Sequence, residues 1–248
     1  MSAAVVASVA AAGVAGAAAL VHAGPALAGV SPFGMRVTPA LVGRGRPGHV
    51  ALTFDDGPDP ESTPAILEEL DRLGWHATFF VLGTMARAAP GLVAEMAAAG
   101  HEVAVHGDEH TNMLRRRPGS TAADIQRCRD TVADLAGVEP TWFRPPFGLL
   151  SFGALRGARR VGLTTVLWTT WGRDWRKEAT PDTVTADVLR RYVDGGTVLL
   201  HDADCQSYPE SWRATLGALP RLADAFAARG LTVGTVGEHG IRHAPAST

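Results

Sequence analysis

After residue 48 the chain alternates between short apolar runs and longer stretches in which apolar positions recur every three or four residues. The runs at 49–54, 77–81, 102–106, 141–144, 163–168, 197–201 and 231–235 read as strands. Several are apolar almost throughout, the mark of strands covered on both faces. The stretches 61–73, 85–99, 121–136, 151–161, 181–193 and 213–229 read as amphipathic helices. Gly74, Gly100, Gly137, Gly162 and Gly230 each stand just past one of them, where a left-handed cap needs no side chain. Pro64 and Pro181 lie near helix starts, where a missing N–H costs nothing. Regular strand–helix alternation over seven strands predicts a parallel β/α architecture, most simply a barrel.

No internal repeat or low-complexity linker interrupts residues 48–240, which read as one folded body. Residues 31–47 read as a Gly/Pro/Arg-rich connector and 241–248 as a loose tail. The N-terminal segment 1–30 is different in kind. No residue before Arg36 carries a formal charge, and 3–21 are almost entirely Ala, Val and Gly. That length approaches the roughly 20 residues of a membrane span. Ala26-Leu27-Ala28 resembles a small-residue cleavage site, yet no Lys or Arg precedes the apolar stretch as in a secretory signal. A signal or membrane tether, a helix packed on the domain, and part of a longer N-terminus all stay open. A secreted or envelope-associated protein is the first expectation, with a cytoplasmic one alongside it.

Composition narrows the function classes. A net charge of −2 gives no electrostatic case for a nucleic-acid partner. Cys128 and Cys205 form no CxxC pattern and read as two free thiols. The expected species is a monomer.

The candidate chemistry sits at strand ends. Residues 53–58 read Thr-Phe-Asp-Asp-Gly-Pro, directly after the apolar run 49–52. Adjacent carboxylates leaving a buried strand repel one another and call for a compensating cation. His106 and His110 follow the third predicted strand, Arg144 ends the fourth, Asp174 follows the fifth and His201 ends the sixth. In a parallel β/α barrel these positions share the C-terminal rim, where such folds place their sites. Imidazoles four residues apart on a helical turn point the same way and can hold one metal. A carboxylate from the Asp55–Asp56 pair would complete a two-His-one-carboxylate site. Such a site suits hydrolysis, with the other Asp free to take a proton. Blander readings stand beside these: a surface turn for 55–60, a structural ion pair for Arg144, a loop histidine for His201 and a solvated charge for Asp174.

These residues resemble the motifs of the polysaccharide deacetylase family, the NodB-homology domains of carbohydrate esterase family 4, over about residues 48–236. The resemblance implies an α/β fold, a distorted (β/α)7 barrel, for 48–240. It implies Asp55 as general base and Asp56, His106 and His110 as ligands of one divalent ion, Zn2+ first and Co2+ or another as alternatives. Arg144-Pro145-Pro146-Phe147-Gly148 resembles the Arg-containing motif, so Arg144 would orient Asp55 and the Phe147 N–H would face the oxyanion. Asp174-Trp175 resembles the motif in which Asp174 would partner a histidine and Trp175 wall the pocket. Leu199-Leu200-His201-Asp202 resembles the last motif, with His201 as general acid and Leu199 beside the substrate. The implied reaction is removal of N-acetyl groups from a GlcNAc-containing glycan. An O-acetyl ester, a formamido sugar, a small amide, or a non-catalytic carbohydrate-binding role are the alternatives.

The sequence departs from the family at three positions in two motifs. Gly107 stands where Ser or Thr usually follows the first histidine, and Thr111 where Pro follows the second. The hydroxyl that normally bonds within that loop is missing. Trp171 stands where an Asp is common; whether it is core or pocket stays open, while Trp168 reads as core. Arg115-Arg116-Arg117 reads as a solvated loop, and His22, His49, His76, His101, His239 and His243 read as histidines without supporting partners.

Overall fold

The computed structural model describes residues 16, 19–26 and 36–242. Its strands are β1 (His49–Asp55), β2 (Thr78–Leu82), β3 (Glu102–Gly107), β4 (Trp142–Phe143), β5 (Thr164–Thr165), β6 (Thr170–Trp171), β7 (Thr197–His201) and β8 (Thr232–Gly234). Its helices are α1 (Ser62–Leu73), α2 (Gly83–Ala88), α3 (Pro90–Ala98), α4 (Pro118–Ala136), α5 (Phe152–Arg160), α6 (Pro181–Arg191) and α7 (Trp212–Ala227). The strands pair in parallel in the order β5-β4-β3-β2-β1-β7-β6. β8 adds to the first half of β1. The sheet curls into a barrel left open between β5 and β6.

Side-chain alternation along each strand builds two cores. Val50, Leu52 and Phe54 of β1, Phe79 and Val81 of β2, Val103 and Val105 of β3, and Val198 and Leu200 of β7 face outward under the helices. Ala51, Phe80, Ala104 and Trp142 face inward, where Val166, Val236 and Ile241 join them. The outward positions form the larger cluster, which explains why the runs read as strands covered on both faces.

The predicted strand 163–168 is corrected. Only Thr164–Thr165 within it pair as a strand, β5; a further short strand, β6, follows past its end at 170–171 on the opposite edge of the sheet, with the chain crossing the opening between them. The carbonyls of Val166 and Leu167 do not join a ladder. They accept hydrogen bonds from the Arg144 guanidinium (3.4 and 2.9 Å), while Leu167 N–H donates to Leu41 O at 2.7 Å. The predicted helix 85–99 is corrected to two helices, broken at Ala89 (φ −133°, ψ 61°). Pro90 disfavours helical geometry in the residue before it and starts the next helix cleanly.

The described part of the connector is no loose linker. Val42 is buried, Gly43 O accepts from Thr197 Oγ1, and Gly45 and Arg46 N–H groups donate to Gly195 O and His239 O. Ile241, placed in the tail by the sequence reading, is buried in the inner core. Residues 19–26 are helical, and His22 Nε2 lies 3.2 Å from Leu114 O. Most of the apolar segment and residues 243–248 lie outside the described residues. Among the described residues no helix is long and apolar enough to cross a membrane.

Candidate active site

The same alternation that builds the inner core delivers the polar side chains to its upper end. Inward positions on β1 run Ala51, Thr53, Asp55; on β3, Ala104 then His106; past β4, Trp142 then Arg144; on β7, Thr197, Leu199, His201. Asp55 and His201 are register partners on adjacent strands. The apolar floor gives way to charge only at the C-terminal rim.

Arg144 is fully buried. Its Nη1 donates to Asp55 Oδ1 at 2.7 Å and to Thr53 Oγ1 at 2.8 Å, and its guanidinium lies 4.0 Å from the Phe80 ring centroid. Burial works to lower the Arg144 pKa, and the Asp55 carboxylate opposes it. Asp55 Oδ2, the oxygen not held by Arg144, is 3.7 Å from His106 Nε2.

Asp56 adopts φ +83°, a left-handed backbone that Asp tolerates better than most residues. This turns its carboxylate toward the two imidazoles. Asp56 Oδ1 lies 3.5 Å from His106 Nε2 and 3.3 Å from His110 Nε2, and one ligand atom from each residue falls within 4.8 Å of the others. Asp56 Oδ1 is buried with no hydrogen-bond partner among the described residues. A buried carboxylate oxygen without a donor, facing two imidazole nitrogens, fits a divalent cation. His106 Nδ1 lies 2.8 Å from Arg144 O, the engagement that leaves Nε2 as the ligating atom. Burial lowers the His110 pKa to about 4, so its ring is neutral and has a lone pair to offer near pH 7.

His201 faces this group from β7. Its Nδ1 lies 2.9 Å from Asp174 Oδ1, its backbone N–H donates to Asp174 Oδ2 at 2.7 Å, and Thr215 Oγ1 donates to the same oxygen at 2.7 Å. Burial alone would lower its pKa, but the Asp174 carboxylate, with Asp56 and Asp55 beyond it, raises it to about 10. That lies far above an ordinary imidazole, near 6.5. Asp174 follows β6, the short strand past the predicted run 163–168.

The walls are aromatic. The Phe147 ring packs edge-on against His110 (centroids 4.3 Å) from a backbone at φ +59°. Trp175 packs edge-on against His201 (5.6 Å). Both are exposed on their outer side. Leu199 is buried on the inward face of β7, two residues below His201. Trp168 packs over Gly148 and near Arg144, whereas Trp171 lies under the Arg191 guanidinium at 4.4 Å.

Three features escaped the sequence reading. Arg116 is not part of a solvated run: it pairs with fully buried Asp124 at 2.8 Å. Asp202 ties the β7 loop to the β1 loop, accepting from Gly57 N–H (3.1 Å) and Thr63 Oγ1 (2.7 Å), and burial pushes its pKa up to about 7. Its carboxylate occupies the space a Cβ on Gly57 would need. His49 and His239 are not partnerless either; their Nδ1 atoms meet at 2.8 Å. Asp202 alone carried a local signal, its place next to His201.

The sequence profile of the polysaccharide deacetylase family matches residues 43–166, half of the chain, and spans Asp55, Asp56, His106, His110 and Arg144. The peptidoglycan-N-acetylglucosamine deacetylase PgdA of Listeria monocytogenes is 37% identical over 153 residues, 62% of this chain and 32% of PgdA. This chain thus spans about a third of that relative's length. A chitooligosaccharide deacetylase of Sinorhizobium fredii is 35% identical over 199 residues, 77% of this chain and 91% of that protein. The crystal structure of the Bc1960 peptidoglycan N-acetylglucosamine deacetylase superposes with a TM-score of 0.76 at 29% identity, covering 85% of this chain and 97% of that one. With the fold, the profile and a nearly full-length relative in agreement, the chain belongs to the polysaccharide deacetylase family.

Proposed function

We propose that the protein is a metal-dependent hydrolase that removes N-acetyl groups from GlcNAc-type residues of a polysaccharide or oligosaccharide, releasing acetate and a free amine. The observation that carries this reading is the partnerless Asp56 Oδ1 facing His106 and His110, with Asp55 and His201 on either side. A divalent ion held by Asp56, His106 and His110, Zn2+ in the first instance and Co2+ as the alternative, would polarise the acetyl carbonyl and acidify water there.

The chain's own groups supply the rest. Arg144 occupies one oxygen of Asp55 and leaves Oδ2 facing the cluster, so Oδ2 accepts the proton of the attacking water. The Phe147 N–H donates to the carbonyl oxygen as charge develops on it. Asp174 holds His201 through Nδ1, which leaves Nε2 to protonate the departing amine nitrogen. Trp175 and Phe147 offer aromatic faces to the sugar, and Leu199 lies beneath the acetyl group. All of these groups come from one chain, so a monomer suffices. The names of its relatives support a peptidoglycan or chitooligosaccharide substrate; with it goes the reading of a secreted or envelope-associated protein.

Acetate release measured on N-acetylated and O-acetylated oligosaccharides, with metal analysis of the same sample, tests the reading. N-acetyl release lost to a chelator and restored by Zn2+ or Co2+ supports it. Release confined to O-acetyl esters replaces the substrate, and a folded protein that binds no metal and releases no acetate removes the enzyme.

A further inference from the structure

His110 is held differently from His106. The Nδ1 of His106 is engaged by Arg144 O, whereas the Nδ1 of His110 is buried with no hydrogen-bond partner among the described residues. The second nitrogen of a metal-binding imidazole ordinarily fixes the ring. The orientation of His110 must therefore come from the backbone that bears it and from the Phe147 ring.

That backbone is tied down by buried charge. Gly107, directly after His106, adopts φ +109°, a conformation closed to most side chains. A Cβ there would lie 3.1 Å from Asp124 Oδ2, so the Asp124 carboxylate approaches from α4 into the space beside residue 107. Oδ2 accepts the Asp108 N–H at 2.9 Å, and Oδ1 accepts from Arg116 Nη1 at 2.8 Å. The same Nη1 donates to Thr111 Oγ1 at 2.8 Å. Thr111 is thus held on the far side of His110, and Asp108 on the near side. Asp108 is pinned further: its carboxylate pairs with Arg87 (2.7 Å) and Arg127 (3.1 Å), and its carbonyl accepts Thr84 N–H at 3.0 Å.

We propose that Asp124, acting with Arg116, is a positioning residue that holds the 107–111 loop so that His110 Nε2 meets a metal, in place of the hydroxyl that Gly107 lacks. The inference rests on the metal-dependent reading above. It goes beyond it in assigning the rigidity of the second imidazole to a carboxylate on another element. Asp124→Ala removes both acceptors; Asp124→Asn keeps one acceptor and loses the ion pair. Asp130→Ala, on the exposed face of the same helix, is the control for helix stability.

The test measures Zn2+ affinity by chelator competition, the visible spectrum of the Co2+-loaded protein, and amide exchange of the 106–111 segment in metal-free protein. Asp124→Ala should weaken Zn2+ binding about 10- to 100-fold, the usual effect of removing an outer-shell partner. It should also alter the Co2+ spectrum and speed exchange of the Asp108 amide. Asp124→Asn should fall between it and wild type, and Asp130→Ala should match wild type. If Asp124→Ala does not fold, Asp124→Asn carries the same comparison. A folded Asp124 variant with wild-type Zn2+ affinity and Co2+ spectrum overturns the proposal. If wild-type protein binds neither ion, the metal-dependent reading falls by itself. Exchange then decides the clamp: faster in Asp124→Ala than in Asp130→Ala sustains it, and equal rates overturn it.

Discussion

Asp174 holds His201 at two points, one carboxylate oxygen 2.9 Å from Nδ1 and the other accepting the backbone N–H at 2.7 Å. The ring can neither flip nor turn without breaking with the acid that supports its charge. A raised pKa also means that His201 keeps its proton well past neutrality. The basic limb of the pH–kcat/KM profile should therefore lie above the free imidazole value of about 6.5. Asp174→Asn keeps the shape and removes the charge. It should move that limb down toward the free value and lower kcat by about 10²–10⁴. A variant with an unmoved basic limb would show that Asp174 does not set the proton on His201.

Arg144 and Asp55 stand or fall together. Both are almost fully buried, and each is the other's charge partner. Breaking a buried pair leaves one uncompensated charge, at a cost of about 3–5 kcal/mol. Arg144→Met should lose about that much in urea unfolding, and also activity. The double variant Arg144→Met/Asp55→Asn should regain stability but not activity. Equal instability of the single and double variants would place the cost in lost packing over Phe80 rather than in the stranded carboxylate.

The far end of the barrel carries an acid-sensitive contact. His239 Nε2 meets Gly195 O at 2.9 Å, and its Nδ1 meets His49 Nδ1. When His239 donates from Nε2, its neutral ring accepts at Nδ1 and His49 donates. A second proton would set two N–H groups against each other. Burial, with His49 beside it, lowers His239 to about 4, and burial and Arg46 lower His49. Below pH 6.5 the unfolded chain takes up a proton that the folded chain refuses. Stability present above 6.5 is thus lost as pH falls toward 4, by on the order of 3 kcal/mol for His239. His101, also lowered to about 4 by burial, adds to the same slope. The urea midpoint should fall between pH 7 and 4.5, and His239→Gln should flatten that fall. An equally steep fall in the variant would assign the acid sensitivity elsewhere.

How far sequence reasoning reached follows from what each signal encodes. The inward positions of β1, β3 and β7 were legible because period-two alternation ends at a Gly-Pro turn, at paired histidines and at His-Asp. The early end of the strand in 163–168 was not, because an apolar run does not say how far it stays paired. Just past its paired residues Arg144 draws off the carbonyls of Val166 and Leu167. Arg116 read as solvated because its partner sits inside a helix whose pattern explains Asp124 as one polar position among several. The His49–His239 contact joins residues 190 apart, beyond any local motif.

Asp56 provides the direct test of metal binding. Burial works to raise its carboxyl, but the adjoining His106 ring and the charge of His201 hold it at about 2, so it is ionised at any working pH. With His110 neutral above about pH 4, a divalent ion meets an anionic oxygen and a free imidazole nitrogen without displacing a proton from either. Metal in hundredfold excess over Kd should then stabilise the fold by about 2.7 kcal/mol, read as a rise in Tm that a chelator reverses. Asn is the informative substitution, because it tolerates the left-handed backbone at φ +83° and keeps the side chain's size. Asp56→Asn should still unfold cooperatively, yet lose most of the metal-induced rise and the acetate release. An Asp56→Asn protein that gains as much from Zn2+ as wild type would place the ion elsewhere and remove Asp56 from the ligand set.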